Sequence, residues 1–208
     1  FDSGEIRMKF KTLLFAAAVL SSASVNTAFA MDKGDWLMRF GGSYVDPKSN
    51  NSELVSVDSA ASFTFNFSYM MTANWAVELL AAYPFKHDIK LLDGTKVAST
   101  KHLPPTVTLQ YHFAPTSKFQ PYLGLGINYT NFFSTKTTGP LEGTDLSLSS
   151  SWGWSGQLGA DIMLNEKWFL NLDVRYIDIE TDAKLDGDNL GKVDISPWVY
   201  GANVGFRF

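Results

Sequence analysis

From Trp198 to the last residue, every second position is apolar or aromatic: Trp198, Tyr200, Ala202, Val204, Phe206 and Phe208. Val199, Gly201, Asn203, Gly205 and Arg207 lie between them. A period of two places alternate side chains on opposite faces of a β-strand. The pattern recurs upstream. Trp36 to Val45 sets Trp36, Met38, Phe40 and Tyr44 on one face. Phe63, Phe65, Phe67, Tyr69 and Met71 alternate with Thr64, Asn66, Ser68 and Met70. Similar runs cover Trp75 to Tyr83, Thr106 to Phe113, Leu123 to Thr130, Trp152 to Ile162 and Trp168 to Tyr176. Eight strands are predicted, each with one greasy face.

The connections between these runs alternate in length. Residues 72–74, 114–118 and 165–167 make short turns, and long loops are expected near 46–60, 84–101, 133–150 and 180–192. Short turns on one side and long loops on the other are the habit of outer-membrane barrels. Tryptophans 36, 75, 152, 168 and 198 fall near strand ends, as in interfacial girdles. The greasy face must meet lipid, which cannot solvate a charge. The strand charges, Arg39, Glu78, Asp161, Asp173, Arg175 and Arg207, all fall on the other face, where a polar network filling the lumen is expected. The predicted fold is all-β: an eight-stranded antiparallel up-and-down transmembrane β-barrel, too narrow for more than its own side chains or one small ligand.

The first thirty residues read differently. Residues 1–7 look like a non-native or misassigned leader, and 8–30 like a secretory signal peptide. Lys9 and Lys11 form its basic start, Leu13 to Leu20 its apolar stretch, and Ala28-Phe29-Ala30 a cleavage site. The barrel domain is then 31–208. The chain has no cysteine, so an exported fold of this kind cannot rest on disulfides. Its formal net charge is −4, from 21 acidic and 17 basic residues, which argues against a nucleic-acid partner.

Few residues invite chemistry. Gly124-x-Gly126 has no helix after it and is read as room for inward neighbours, not as a phosphate loop. His87 is placed in a long loop, His102 at the top of the fourth strand and His112 in the lumen; their spacing is not that of metal ligands. No nucleophile motif appears. No catalytic residue, cofactor or metal site is expected.

Several strings together resemble the outer-membrane protein W family, which includes alkane-import relatives. They are Val77-Glu78-Leu79-Leu80-Ala81-Ala82, Pro84-Phe85-Lys86-His87-Asp88-Ile89 and His102-Leu103-Pro104-Pro105-Thr106. Pro121 to Thr130, Tyr176-Ile177-Asp178-Ile179, Pro197-Trp198-Val199 and Phe206-Arg207-Phe208 complete the set. The resemblance implies an apolar pocket open to the outside, from which small hydrophobic molecules leave sideways into the membrane. Leu80, Ala82, Ile177, Ile179, Ile195 and Val199 are the expected pocket residues, with Leu80 as the floor. Pro104, Pro105 and Pro197 are the expected lateral exit, because proline donates no ladder hydrogen bond. Tyr200, Phe206 and Phe208 resemble the signal read by the barrel-assembly machinery. Arg175 stands where a bulky apolar residue is expected and would make the constriction polar, favouring ligands with an acidic head. The expected partners are the lipid bilayer, lipopolysaccharide, that machinery and small hydrophobic ligands. An interaction barrel whose long loops receive a bacteriocin, phage or host surface is the alternative. A soluble lipocalin-like barrel fits less well.

Overall fold

The computed structural model describes residues 29–208 apart from 50 and 53. The leader, and the signal peptide as far as residue 28, lie outside the described residues. The strands are β1 (Trp36–Asp46), β2 (Val55–Val57), β3 (Ala60–Met70), β4 (Trp75–Ala82), β5 (Phe85–Leu91), β6 (Lys96–Leu103) and β7 (Thr106–His112). They continue as β8 (Phe119–Thr137), β9 (Leu146–Leu148), β10 (Ser151–Met163), β11 (Trp168–Ile177), β12 (Glu180–Leu185), β13 (Asp188–Asp194) and β14 (Trp198–Arg207). Eight of them form the barrel. β1 pairs with β3, then β4, β7, β8, β10, β11 and β14 follow in order, and β14 pairs back onto β1, every pair antiparallel. Closure leaves no free edge in lipid.

The outward row is the apolar one. Phe63, Leu125, Ile127 and Trp152 are more than 60% exposed. Facing inward at the same height, Asn66, Ser68, Glu78, Thr108 and Gln110 are almost completely buried. The inward glycines are spacers: a Cβ on Gly126 would stand 2.4 Å from the Val107 carbonyl oxygen, and one on Gly124 2.6 Å from Thr108 Cγ2.

The expected long loops are largely strands. β5 and β6 form a hairpin over part of 84–101, β8 runs on to Thr137, and β12 and β13 form a second hairpin where a loop was expected at 180–192. β2 pairs with β5, β6 with the end of β8, and β9 with β12. These pieces stand above the barrel as an external lobe. His87 and His102 therefore sit on β5 and β6, not in a loop and not on the fourth barrel strand.

The alternation reverses at the border of that lobe. On β4, Val77, Leu79 and Ala81 face out; past Pro84, it is Phe85, His87 and Ile89 that turn in, while Lys86, Asp88 and Lys90 turn out. Along β11 and its continuation the inward row stays in phase, but its chemistry changes from Asn171, Asp173 and Arg175 to Ile177, Ile179 and Ala183. The outward row changes oppositely, from Leu170, Leu172 and Val174 to Asp178, Glu180 and Asp182. The barrel follows the rule for lipid, and the lobe the rule for water.

Candidate functional site

The inner row stacks in layers, best built from the periplasmic end, where the short turns lie. Met31, Leu37, Met70, Ala76, Met163 and Phe169 form a buried apolar plug. Met31 is anchored by its N–H to the Pro115 carbonyl, 2.9 Å away. Arg207 sits at this rim, where its guanidinium donates to the Ala30 carbonyl and lies 3.8 Å from Asp35. It does not join the lumen network expected for it, because parity along a strand sets the face but not the height.

Above the plug lie the charges. Arg39 donates to both Asp161 oxygens, at 3.0 and 2.6 Å, to Glu78 at 3.0 Å and to Ser68 at 2.8 Å. Arg175 donates to Asp173 at 2.6 Å and to Asn66 Oδ1 at 3.1 Å, and its other terminal nitrogen lies 3.0 Å from Glu78. Glu78 thus bridges two guanidinium groups. Gln157, Asn171 and Tyr122 knit the neighbouring carboxylates together. The Arg175 guanidinium is turned onto these acids, so it holds the network, and the acidic-head preference expected of it gains no support from the geometry.

The next layer is apolar. Val45, Phe85, Phe132, Ile177, Ile179 and Val199 pack into one buried cluster, with Ala82 resting on it. Leu80 is buried one inward position above Glu78 on β4. Above this cluster a cavity of about 70 Å³ lies within the lobe. Its apolar wall includes Ile89, Val97, Leu146, Val193 and Ile195, and His87 and His102 stand at its side. Of the expected pocket residues, Ile195 lines this space. Ile177, Ile179 and Val199 pack beneath it, and Leu80 and Ala82 do not reach it. The cause is the width of the barrel: eight strands leave a lumen that side chains fill, so free space appears only where the strands continue beyond the membrane. Val97, Leu146 and Val193 were missed because their segments were read as loops. The alternation from Phe85 to Leu91 was the available signal.

The two imidazoles stack face to face, 4.8 Å between centroids, with Phe85 stacked at 5.5 Å on His102. Burial pushes the His102 imidazole down to about 3, with His87 adding to the fall. Burial also lowers His87, against the opposing pull of the Asp58 carbonyl.

The expected exits differ from one another. The β4–β7 ladder stops at Leu80–Thr106, and the next pairing on that side begins at Phe85–His102. Residues 81–84 and 103–105 face each other across this break, and Pro104 has no N–H to close it. Pro104 is buried and Pro105 exposed. At Pro197 the wall is closed. Its carbonyl accepts from Ile177 N–H at 3.2 Å, and its neighbour Ile195 bonds to Ile179 on one side and Lys48 on the other. Pro197 is therefore not at a break: its nitrogen donates nothing, but its carbonyl still accepts a bond from β11. On β14, Tyr200 near the Pro197 end and Phe208 just past the far end lie on the outer surface, and Phe206 is partly covered by Trp168, 4.9 Å away. The Phe208 main chain exchanges two hydrogen bonds with Trp36.

Comparison with known proteins agrees with this architecture. The profile of the OmpW family matches residues 32–208. Outer membrane protein W of Escherichia coli (strain K12) is 39% identical over 211 residues, covering 95% of this chain and 100% of that one. The crystal structure of the outer membrane protein OprG from Pseudomonas aeruginosa superposes with a TM-score of 0.78 at 38% identity, covering 87% of this chain and 99% of that one. The dibenzothiophene metabolism operon protein PahQ of Pseudomonas aeruginosa is 29% identical over 125 residues, 58% of this chain and 57% of its own.

Proposed function

The chain belongs to the OmpW family of outer-membrane β-barrels, and from that premise we propose that it admits small hydrophobic molecules from outside and releases them sideways into the membrane. The observation that carries this reading is an apolar cavity set above a sealed, charged lumen, beside a break in the barrel wall. Burying apolar ligand surface there gains about 25 cal/mol per Å². Straight passage downward would cross Arg39, Glu78 and Arg175, a layer that an apolar molecule can neither bond nor displace. The gap at 81–84 and 103–105 is the easier way out. A relative named for a dibenzothiophene metabolism operon adds support. The cavity as it stands has room for about two waters, so larger ligands require β5–β6 and β12–β13 to part.

Lipid surrounds the outward aromatics. Lipopolysaccharide beside the charged lobe, and assembly machinery reading Tyr200, Phe206 and Phe208, complete the proposed partners. The test is entry of an apolar fluorescent probe into cells lacking the protein, carrying it, or carrying Val193→Glu. Val193 lines the cavity away from the barrel wall. Faster entry with the wild type, lost in the variant at equal barrel levels, supports the conduit. Equal entry in all three removes it and turns attention to the lobe as a receptor surface.

A further inference from the structure

One group on the cavity wall is out of keeping with the rest. His87 is 2% exposed and lines a mainly apolar space. Its Nδ1 lies 2.5 Å from the Asp58 carbonyl oxygen. A carbonyl can only accept, so Nδ1 carries the proton. In a neutral ring the remaining nitrogen, Nε2, is then an acceptor. Among the described residues Nε2 has no partner. The ring is held at both ends of the argument: Asp58 fixes the tautomer, and the stack on His102 fixes the plane. Burial keeps the imidazole neutral by lowering its pKa.

Of the other polar groups on the wall, His102 is stacked against His87 and Phe85, and the hydroxyls are engaged. Thr100 pairs with Thr135 at 3.0 Å, Thr181 donates to the Ser149 carbonyl at 2.6 Å, and Ser52 accepts from the Val55 N–H at 3.0 Å. A buried acceptor without a donor is costly, and a ligand that supplies the donor removes that cost. A hydrocarbon cannot do so, and neither can an ether or a ketone.

We infer that the cavity, as β5–β6 and β12–β13 part to admit a ligand, selects apolar molecules bearing one hydroxyl group, such as phenols and simple alcohols, with His87 Nε2, closed off before they part, accepting the hydroxyl hydrogen. This deepens the conduit reading and rests on it.

The test uses the full barrel in lipid nanodiscs, with empty discs correcting for partition into lipid. Phenol and toluene, close in shape, are titrated against wild type, His87→Phe and His87→Gln. Binding is followed by the imidazole ¹⁵N signals of the wild type and by the methyl signals of Val97 and Val193 in all three. Phenol should move the His87 Nε2 signal in a saturable way, and toluene should not. The ratio of phenol to toluene affinity should fall about tenfold in His87→Phe, the loss expected for one neutral hydrogen bond, and recover in part in His87→Gln. Toluene binding with an unmoved Nε2 signal and an unchanged ratio would overturn the hydroxyl anchor and leave the conduit standing. Failure of both ligands to bind the wild type would overturn the two readings together.

Discussion

Arg39 has no exposed surface and four hydrogen bonds to side chains, so its charge is wholly committed to the lumen network. Buried pairs add little net stability when whole, but breaking one strands the partner charge at a cost of about 3–5 kcal/mol. Arg39→Leu should therefore lower stability by about that amount in a urea titration of the barrel in vesicles. Replacing Arg39, Glu78 and Asp161 together by apolar residues of similar volume should cost much less. His102 makes a prediction of opposite sign in pH. Its imidazole is held near 3, against 6.5 in the unfolded chain, so the folded lobe binds fewer protons between those values. The stability it protects is full above pH 6.5 and is lost as pH falls toward 3. The protection of β5 and β6 amides against hydrogen exchange, taken relative to the intrinsic rate at each pH, should fall between pH 7 and 4, and less so in His102→Phe. At this scale the sequence was informative about which charges turn inward, since strand parity decides that. It was silent about height, which is why Arg207 was grouped with a network it does not reach.

Strand β5 shows how much an element depends on phase. Pro84 is the residue at which the inward row changes parity, and a one-residue slip in a strand sends every side chain to the opposite face. Pro84 is the extra residue, so deleting it lets the alternation run unbroken with Phe85, His87 and Ile89 still inward; deleting Lys86 instead should turn His87 and Ile89 outward and bring Asp88 and Lys90 into the apolar lobe. Limited proteolysis should then cut within 85–103 while the barrel below stays resistant. The eight barrel strands were legible because their outward rows are long and aromatic. Of the lobe strands, β5 and β12 alternate too, but with the apolar row facing in and charges facing out, as in a soluble protein, while β6 and β13 do not keep the alternation. A reading tuned to lipid-facing rows passes over them as loops. The cavity was misplaced for the same reason: with 84–101 and 180–192 read as loops, the pocket was expected lower, among residues that the structure packs solid.

The whole molecule joins a sealed barrel to a hollow lobe, and the proposed exit lies at the joint. Continuing the β4–β7 register sets Tyr83 opposite Leu103 across the break in the wall. The chain has no cysteine of its own, so Tyr83→Cys with Leu103→Cys gives a switch that leaves Pro104 and Pro105 in place. Oxidation should stop release of an apolar probe into the bilayer without preventing its binding in the lobe, and reduction should restore release. The exchange of chemistry between Tyr176 and Asp178 also has a use beyond this protein's own ligands. It is a waterline written into the chain. A lysine placed on the outward row near mid-membrane, at Leu170 or Leu172, should cost about 2–4 kcal/mol, and one placed at Asp178 or above almost nothing. Stepping lysine up that row would make the barrel a depth gauge, reporting how thick the surrounding outer membrane is and how it changes as the cell remodels its lipids.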